Sequence, residues 1–143
     1  MTPKQLLIAA LRSGEFVQIC GCLKNKVGCC VLGVAVEVYQ RNRPVHLIPL
    51  AELPCPYFGD ARKDPGAVRF SDGEDSYDGS LPKPCREWYG CDTKGTLKHT
   101  VVAPNGYSYT DIMHLNDLAK MTFPQIADVL ETNDFATSPR EIA

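Results

Sequence analysis

Two adjacent cysteines, Cys29 and Cys30, stand at the start of an apolar segment with helical spacing. A cysteine at a helix N-terminus can be held as a thiolate, because the unpaired backbone N–H groups and the helix dipole favour the anion. A cysteine hydrolase of papain-like layout combines such a thiol with a histidine from a later strand. His99 lies in a predicted strand, and Asn105 or Asp111 could orient its ring. The alternative is that both thiols pack in the core as small apolar groups.

Metal binding is a second chemistry that cysteines provide, and the chain has seven: Cys20, Cys22, Cys29, Cys30, Cys55, Cys85 and Cys91. Structural zinc sites usually place two to four residues between the ligands of a pair. Neither Cys20-x-Cys22 nor Cys29-Cys30 has that spacing. The sequence also has no P-loop and no dinucleotide fingerprint, so we predict no metal and no other cofactor. An odd set of cysteines in a reducing compartment favours free thiols.

A separate group of residues combines positive charge with aromatic rings. Arg86 and Trp88 fall in a predicted short helix, and Tyr107 and Tyr109 follow a predicted turn. Guanidinium groups bind phosphates, and aromatic rings stack on flat ligands such as nucleobases. Basic residues of the central loop complete the candidate ligand-binding set, which is Arg86, Trp88, Tyr107, Tyr109, Arg62, Lys63 and Arg69. The alternative for Trp88 is that its ring anchors the helix to the core.

The composition limits the class of protein. The chain has 143 residues, of which 44% are hydrophobic and 22% charged, so we expect one globular domain, 1–143. Its net charge of −2 argues against DNA or RNA as a partner, because nucleic-acid binders normally have a basic face. No apolar run approaches the roughly 18 residues that a membrane-spanning helix needs. The sequence starts without a signal-peptide pattern, so we expect a cytoplasmic protein.

Local signals predict the helices that must position these groups. Thr2-Pro3-Lys4-Gln5 and Thr122-Phe123-Pro124-Gln125 each combine a threonine cap, an early proline and a glutamine three residues after the cap, which is typical of a helix start. The spacing of apolar residues predicts further helices from Val31 to about Asn42, from Pro82 to Tyr89, and from about Ile112 to Leu118.

Strand-forming residues predict a small antiparallel sheet from the segments near 16–30 and 96–109. Short strands are predicted at His46–Leu50 and Val68–Phe70. The predicted fold class is therefore α+β, with a small antiparallel sheet covered by three or four short helices. A variable, loop-rich insertion is expected at about 51–80, where glycine, proline and acidic residues are frequent.

Five groups of residues, taken in order along the chain, resemble a group of small accessory proteins encoded by tailed bacteriophages and prophages. They are Ala10-Leu11-Arg12-Ser13-Gly14-Glu15-Phe16 with Gln18, Cys29-Cys30-Val31-Leu32-Gly33-Val34, Leu81-Pro82 with Arg86-Glu87-Trp88-Tyr89-Gly90, Leu115-Asn116-Asp117, and Phe123-Pro124-Gln125-Ile126-Ala127-Asp128-Val129-Leu130-Glu131. The resemblance spans the chain except for residues 45–80. It implies an accessory, non-virion protein of a family without an assigned activity, and it carries no catalytic or ligand residue over to this sequence.

Small accessory proteins of phages often counter host defence, including by sequestering nucleotide signals, and this argument is one of association. The resemblance leads us to expect an anti-defence protein that binds a small nucleotide-like host signalling molecule in the host cytoplasm, with a homo-oligomer as its candidate assembly. Two alternatives stay open. One is the papain-like hydrolase with Cys30 and His99, and the other is an interaction module that blocks a host protein.

Overall fold

The computed structural model describes residues 1–43, 48–50, 69–71, 76–77 and 79–136. The helices of this part of the chain are α1 (Pro3–Arg12), α2 (Val31–Asn42), α3 (Lys83–Tyr89), α4 (Ile112–Asp117) and α5 (Phe123–Thr132). The strands are β1 (Ile48–Leu50), β2 (Arg69–Ser71), β3 (Ser76–Tyr77), β4 (Thr96–Val102) and β5 (Ser108–Asp111). The fold class is α+β, as predicted. The described part contains five helices rather than the three or four expected, because all five helical segments of the sequence form.

The helices at the two ends of the chain begin where their capping signals predict. In α1 the Thr2 hydroxyl accepts a hydrogen bond from the Gln5 N–H at 3.2 Å, and the Gln5 side chain accepts one from the Thr2 N–H at 2.8 Å. Thr122 and Gln125 form the same reciprocal pair at the start of α5. The two helices pack against each other, and the Arg12 guanidinium of α1 bridges to two carboxylates of α5.

The central helix, α2, is buried around most of its circumference. Eight of its twelve residues are buried, including Val31, Val34, Val36 and Val38. These β-branched residues lower intrinsic helix propensity, but a helix that is apolar on all sides is stable when other elements cover it. Helices α1, α3 and α4 supply that cover. The helix predicted from Val31 to about Asn42 is therefore confirmed.

The strands form two small antiparallel sheets. Strands β4 and β5 make a hairpin in which Thr96 pairs with Asp111 and Val102 pairs with Ser108, which confirms the sheet predicted near 96–109. The second sheet has the order β1-β2-β3, so the short strands predicted around residues 48 and 69 are confirmed. Most of the predicted insertion at 51–80 lies outside the described residues.

The strand predicted near residues 16–30 is wrong, because this segment forms only isolated bridges. Its backbone wraps around the Cys29–Cys30 pair instead of running alongside a partner strand. The Cys29 N–H donates to the Val17 carbonyl at 2.9 Å, and the Cys30 N–H donates to the Leu23 carbonyl at 3.1 Å. These bonds approach the cysteines from two sides and leave no continuous ladder. A turn follows Lys24, where the Asn25 side chain accepts from the N–H groups of Val27 and Gly28.

Candidate functional site

Cys30 is the N-cap of α2, and its thiol is part of the protein interior. The Sγ atom accepts a hydrogen bond from the Gly33 N–H at 3.4 Å, which is the bond that a serine hydroxyl usually provides at this position. Burial raises the pKa of Cys30 to about 12 and the pKa of Cys29 to about 11. Both groups are therefore thiols at neutral pH, and a thiol is a poor nucleophile.

The candidate base and its orienters lie on the hairpin, in contacts of their own. His99 is an exposed residue of β4 whose backbone N–H and carbonyl both bond to the Asn133 side chain. Asn105 donates to the Tyr109 hydroxyl at 2.9 Å. Asp111 contacts a different histidine, with its Oδ2 at 2.8 Å from the His114 Nδ1. Among the described residues, no hydrogen bond brings His99 to Cys30, so the geometry adds no support to the hydrolase hypothesis.

Gly28 and Gly33 lie on either side of the cysteine pair, at positions where only glycine fits. A Cβ atom added to Gly28 would lie 1.9 Å from the Val17 carbonyl oxygen, and one added to Gly33 would lie 1.7 Å from the Leu23 carbonyl oxygen. Both distances are far shorter than any tolerable contact. Glycine at these two positions therefore allows α2 to pack closely against the preceding loop.

Asn116, in α4, joins this loop to the start of α2. Its side chain is 1% exposed, and all of its hydrogen-bonding capacity is used. The Nδ2 group donates to the Ile19 carbonyl at 2.9 Å and to Asp117 at 2.8 Å, while Oδ1 accepts from Gln18 at 2.8 Å and from the Val31 N–H at 3.2 Å.

Gln18 completes this arrangement by bonding to the chain between α4 and α5. Its Nε2 also donates to the Met121 carbonyl at 2.7 Å, and its Oε1 accepts from the Phe123 N–H at 3.1 Å. We call Asn116, Gln18 and the groups that they bond to the Asn116 junction. Every side-chain polar atom named in it has a partner inside the protein, so its role is architectural.

The predicted ligand-binding residues fall in three places. The half-buried Trp88 ring packs edge-on against Tyr39 and Tyr89, with ring centroids 5.6 and 4.9 Å away. Arg86 is half-buried on the same helix, and its buried Nε has no hydrogen-bond partner among the described residues. At the hairpin tip, Tyr107 is 71% exposed and Tyr109 is half-buried. Arg62, Lys63 and the side chain of Arg69 lie outside the described residues.

A polar cleft lies on the solvent-facing side of the hairpin, away from the predicted ligand-binding residues. Its volume is about 430 Å³, and its wall includes Lys94, Thr96, Lys98, Thr100 and Thr110. Alternate residues of a strand share a face, and Thr96, Lys98 and Thr100 all line the cleft although the pairing with β5 shifts register between Thr96 and Val101. That alternation was the signal in the sequence. We call this region the hairpin cleft.

The carboxylates of the hairpin cleft are occupied by bonds within the protein. Asp92 accepts from the N–H groups of Lys94 and Thr96 at 3.1 and 2.8 Å, and from the Thr96 hydroxyl at 2.5 Å. Burial opposes ionisation of Asp92, but these hydrogen bonds outweigh it and hold its pKa below the usual value. Asp111 caps α4 by accepting from the His114 N–H at 2.7 Å.

The two ammonium groups of the cleft, in contrast, are not held by carboxylates of the described residues. Neither Lys94 nor Lys98 makes an ion pair with a carboxylate of the described part of the chain. The cleft therefore offers two exposed cations and several hydroxyl groups to a ligand. In the same part of the chain, no group of three or more His, Cys, Asp or Glu side chains is arranged to hold a metal ion.

Residues 2–134 match the family described as a domain of unknown function, DUF8296. The chain belongs to the DUF8296 family. The match begins at the cap of α1 and ends after α5, so the Asn116 junction and the hairpin cleft both lie within the family domain. No curated protein and no solved structure matches this DUF8296 protein. None of the helices in the described ranges is long and apolar enough to cross a membrane.

Proposed function

We propose that this DUF8296 protein binds and sequesters a small phosphorylated molecule of nucleotide type in the hairpin cleft. The observation that supports the proposal is the pair of lysines, Lys94 and Lys98, whose ammonium groups have no carboxylate partner among the described residues. Ammonium groups bind phosphate as point charges. The wall also carries the carboxylates of Asp92 and Asp111, but internal hydrogen bonds take these up, so the two ammonium groups are the charges left for an anionic ligand.

The size and the remaining wall of the cleft fit the same class of ligand. Small-molecule sites have volumes of about 300–1,000 Å³, and the cleft measures about 430 Å³. The hydroxyls of Thr100 and Thr110 can donate or accept, which suits the hydroxyl groups of a ribose. The carboxylates of Asp92 and Asp111 fix the shape of the wall through their internal bonds. We therefore expect the ligand contacts in the hairpin cleft rather than at Arg86 and Trp88.

The resemblance to phage accessory proteins supports sequestration as the biological purpose of binding. On this proposal the ligand is a host defence signal, and the place of action is the cytoplasm of the infected cell. Sequestration requires affinity and no reacting group, which agrees with the protonated state of the buried thiols of Cys29 and Cys30. This step rests on family association rather than on cleft geometry.

Binding to a panel of ligands tests the proposal. The purified chain is titrated with 5′-mononucleotides, cyclic mononucleotides, cyclic dinucleotides and inorganic phosphate, and binding is measured by calorimetry and thermal shift. We expect saturable binding of a nucleotide, and about tenfold weaker binding in either Lys94→Gln or Lys98→Gln, since a charge-assisted hydrogen bond contributes about 1.5–3 kcal/mol.

Lys83→Gln is the matched control, because it makes the same charge change on the exposed surface of α3. It should leave affinity unchanged. If no nucleotide in the panel binds, the proposed ligand class is wrong. If a nucleotide binds equally well to Lys94→Gln and Lys98→Gln, the cleft is not its site.

An interaction module that blocks a host protein is the second candidate function. It is favoured by the apolar surface at the hairpin tip, where Val102 is 72% exposed and Tyr107 is 71% exposed. A Val102→Asp, Tyr107→Ser double variant should then lose a host protein that the parent sequence captures from lysate, and it should keep any nucleotide affinity. Nucleotide binding without such capture favours the first function.

A further inference from the structure

Cys20 and Lys120 bring a thiol and an amine together on the surface, outside the residues that line the hairpin cleft. The Nζ atom of Lys120 donates a hydrogen bond to the Sγ atom of Cys20 at 3.4 Å, and both residues are exposed. They are separated by 100 positions in the chain. We propose that this pair is an acyl-acceptor site, at which Cys20 takes an acyl group from a small thioester and passes it to Lys120.

The Asn116 junction holds the two side chains near each other. The Cys20 thiol donates to the Asn116 carbonyl at 3.5 Å, which fixes it against the end of α4. Gln18, two residues before Cys20, donates to the carbonyl of Met121, the residue that follows Lys120. Both backbone segments are therefore tied to the same junction. The fold therefore brings the two backbone segments close enough for the Lys120 side chain to reach the Cys20 sulfur.

Both members of the pair are available for reaction. Among the described cysteines, Cys20 is the exposed one, whereas Cys22, Cys29, Cys30 and Cys85 are buried. Lys120 makes no ion pair with a described carboxylate. A thioester in solution can therefore reach the Cys20 sulfur, and the nearby nitrogen is not held by an acidic side chain.

The reaction has two steps, and each one balances. First, the Cys20 thiol gives its proton to solvent and its sulfur attacks the carbonyl carbon of the thioester. The bond from that carbon to the original sulfur breaks, and the released thiolate takes a proton from solvent, so no net proton is consumed. Second, Lys120 gives one proton to solvent and attacks the same carbonyl carbon. A C–N bond forms, the bond to the Cys20 sulfur breaks, and the nitrogen loses its second proton. One amide is formed, one thioester is consumed, and no oxidant is needed.

The second step is intramolecular, because the Cys20 sulfur and the Lys120 nitrogen are in contact within one chain. A carbonyl carbon bonded to Sγ is a direct neighbour of an atom that lies 3.4 Å from the Lys120 nitrogen. The carbonyl carbon is then within reach of the amine, and well-placed groups in one molecule react with high effective molarity. Lys120 should therefore be acylated much faster than a lysine without a thiol neighbour.

Acetyl-coenzyme A is the probe for the experiment, which uses the full chain and peptide mass spectrometry. We expect acetylation of Lys120 to exceed that of the exposed Lys83 at least tenfold. In Cys20→Ser this advantage should disappear. In Lys120→Arg the acetyl group should stay on Cys20 as a thioester that hydroxylamine removes. Thermal melting of both variants verifies that they fold, which we expect because both positions are on the surface.

Two results would overturn the proposal. One is equal acetylation of Lys120 and Lys83 in the unchanged sequence. The other is Lys120 acetylation that persists at its original rate in Cys20→Ser, because the amine would then react directly with the thioester.

Discussion

The Asn116 junction and the hairpin cleft are both rich in polar side chains, yet they use them in opposite ways. In the junction, the amides of Asn116 and Gln18 are fully bonded inside the protein. In the cleft, the carboxylates are bonded internally, whereas the ammonium groups of Lys94 and Lys98 have no described carboxylate partner. Satisfied polar groups hold a fold together, and unsatisfied ones on a concave surface are free to bind a ligand. Changes in the junction should therefore alter stability, and changes in the cleft should alter binding.

The most severe change in the interior next to the junction is Gly33→Ala. The new Cβ atom would lie 1.7 Å from the Leu23 carbonyl oxygen, which accepts a hydrogen bond from the Cys30 N–H. Either the loop or α2 must move, and the buried bond is then lost. We expect the free energy of unfolding to fall by about 4 kcal/mol or more, measured by urea denaturation followed by circular dichroism.

Gly79→Ala is the control for this experiment, since a Cβ atom there meets nothing within 4 Å. It should change the free energy of unfolding by less than about 0.5 kcal/mol. A Gly33→Ala protein as stable as Gly79→Ala would show that the loop around Leu23 adapts at little cost.

Asn116→Ala removes the centre of the junction and should have the next largest effect. The substitution leaves the Val31 N–H and the Ile19 carbonyl without their side-chain partners in a buried site. Leaving buried polar groups unpaired costs about 1–3 kcal/mol each, so we expect a loss of about 3 kcal/mol in urea denaturation. Asn105→Ala, at the exposed hairpin turn, should cost under about 1 kcal/mol. Similar losses in the two variants would contradict the architectural role of Asn116.

The buried thiols next to the junction predict a dependence of stability on alkaline pH. Burial raises the pKa of Cys30 from 9.0 to about 12, so the unfolded chain loses this proton at a lower pH than the folded one. Stability is complete below pH 9 and falls as the pH rises toward 12. The slope is about −1.4 kcal/mol per pH unit for each such thiol. Cys30→Ala should reduce the magnitude of the slope by the contribution of one thiol. An unchanged slope in this variant would contradict the role of the Cys30 thiol.

The parts of the fold that the sequence predicts correctly depend on signals within a few residues of each other. The capping boxes at Thr2 and Thr122 are examples, because cap and partner are three residues apart. The segment at 16–30 has strand-forming residues, but its backbone bonds go to Cys29 and Cys30 in a wrapped loop, and local propensity does not encode that path. Tertiary bonding therefore overrides the local preference there.

The candidate site shows the same limit. No local signal marks Asn116 as a buried residue, because one of its hydrogen-bond partners, Gln18, is 98 positions away. Trp88 and Arg86 carry the strongest local signal for ligand binding, and packing takes up the Trp88 ring. The alternation of Thr96, Lys98 and Thr100 was visible, but a solvated strand face has the same pattern. Only the loop that carries Asp92 and Lys94 turns that face into a cleft.

Thr100→Val tests the hairpin cleft, and of the changes considered it should have the smallest effect on stability. The change keeps the shape of an exposed strand residue and removes one hydroxyl from the cleft wall. The free energy of unfolding should stay within about 0.5 kcal/mol of the parent value, since valine is also favourable in strands. Affinity for the bound nucleotide should fall by two- to tenfold, because a neutral hydrogen bond contributes about 0.5–1.5 kcal/mol. Thr132→Val, at the end of α5 and away from the cleft, should change neither quantity. A variant that loses stability without losing affinity would place Thr100 with the architectural residues, and the division between the two regions would not hold.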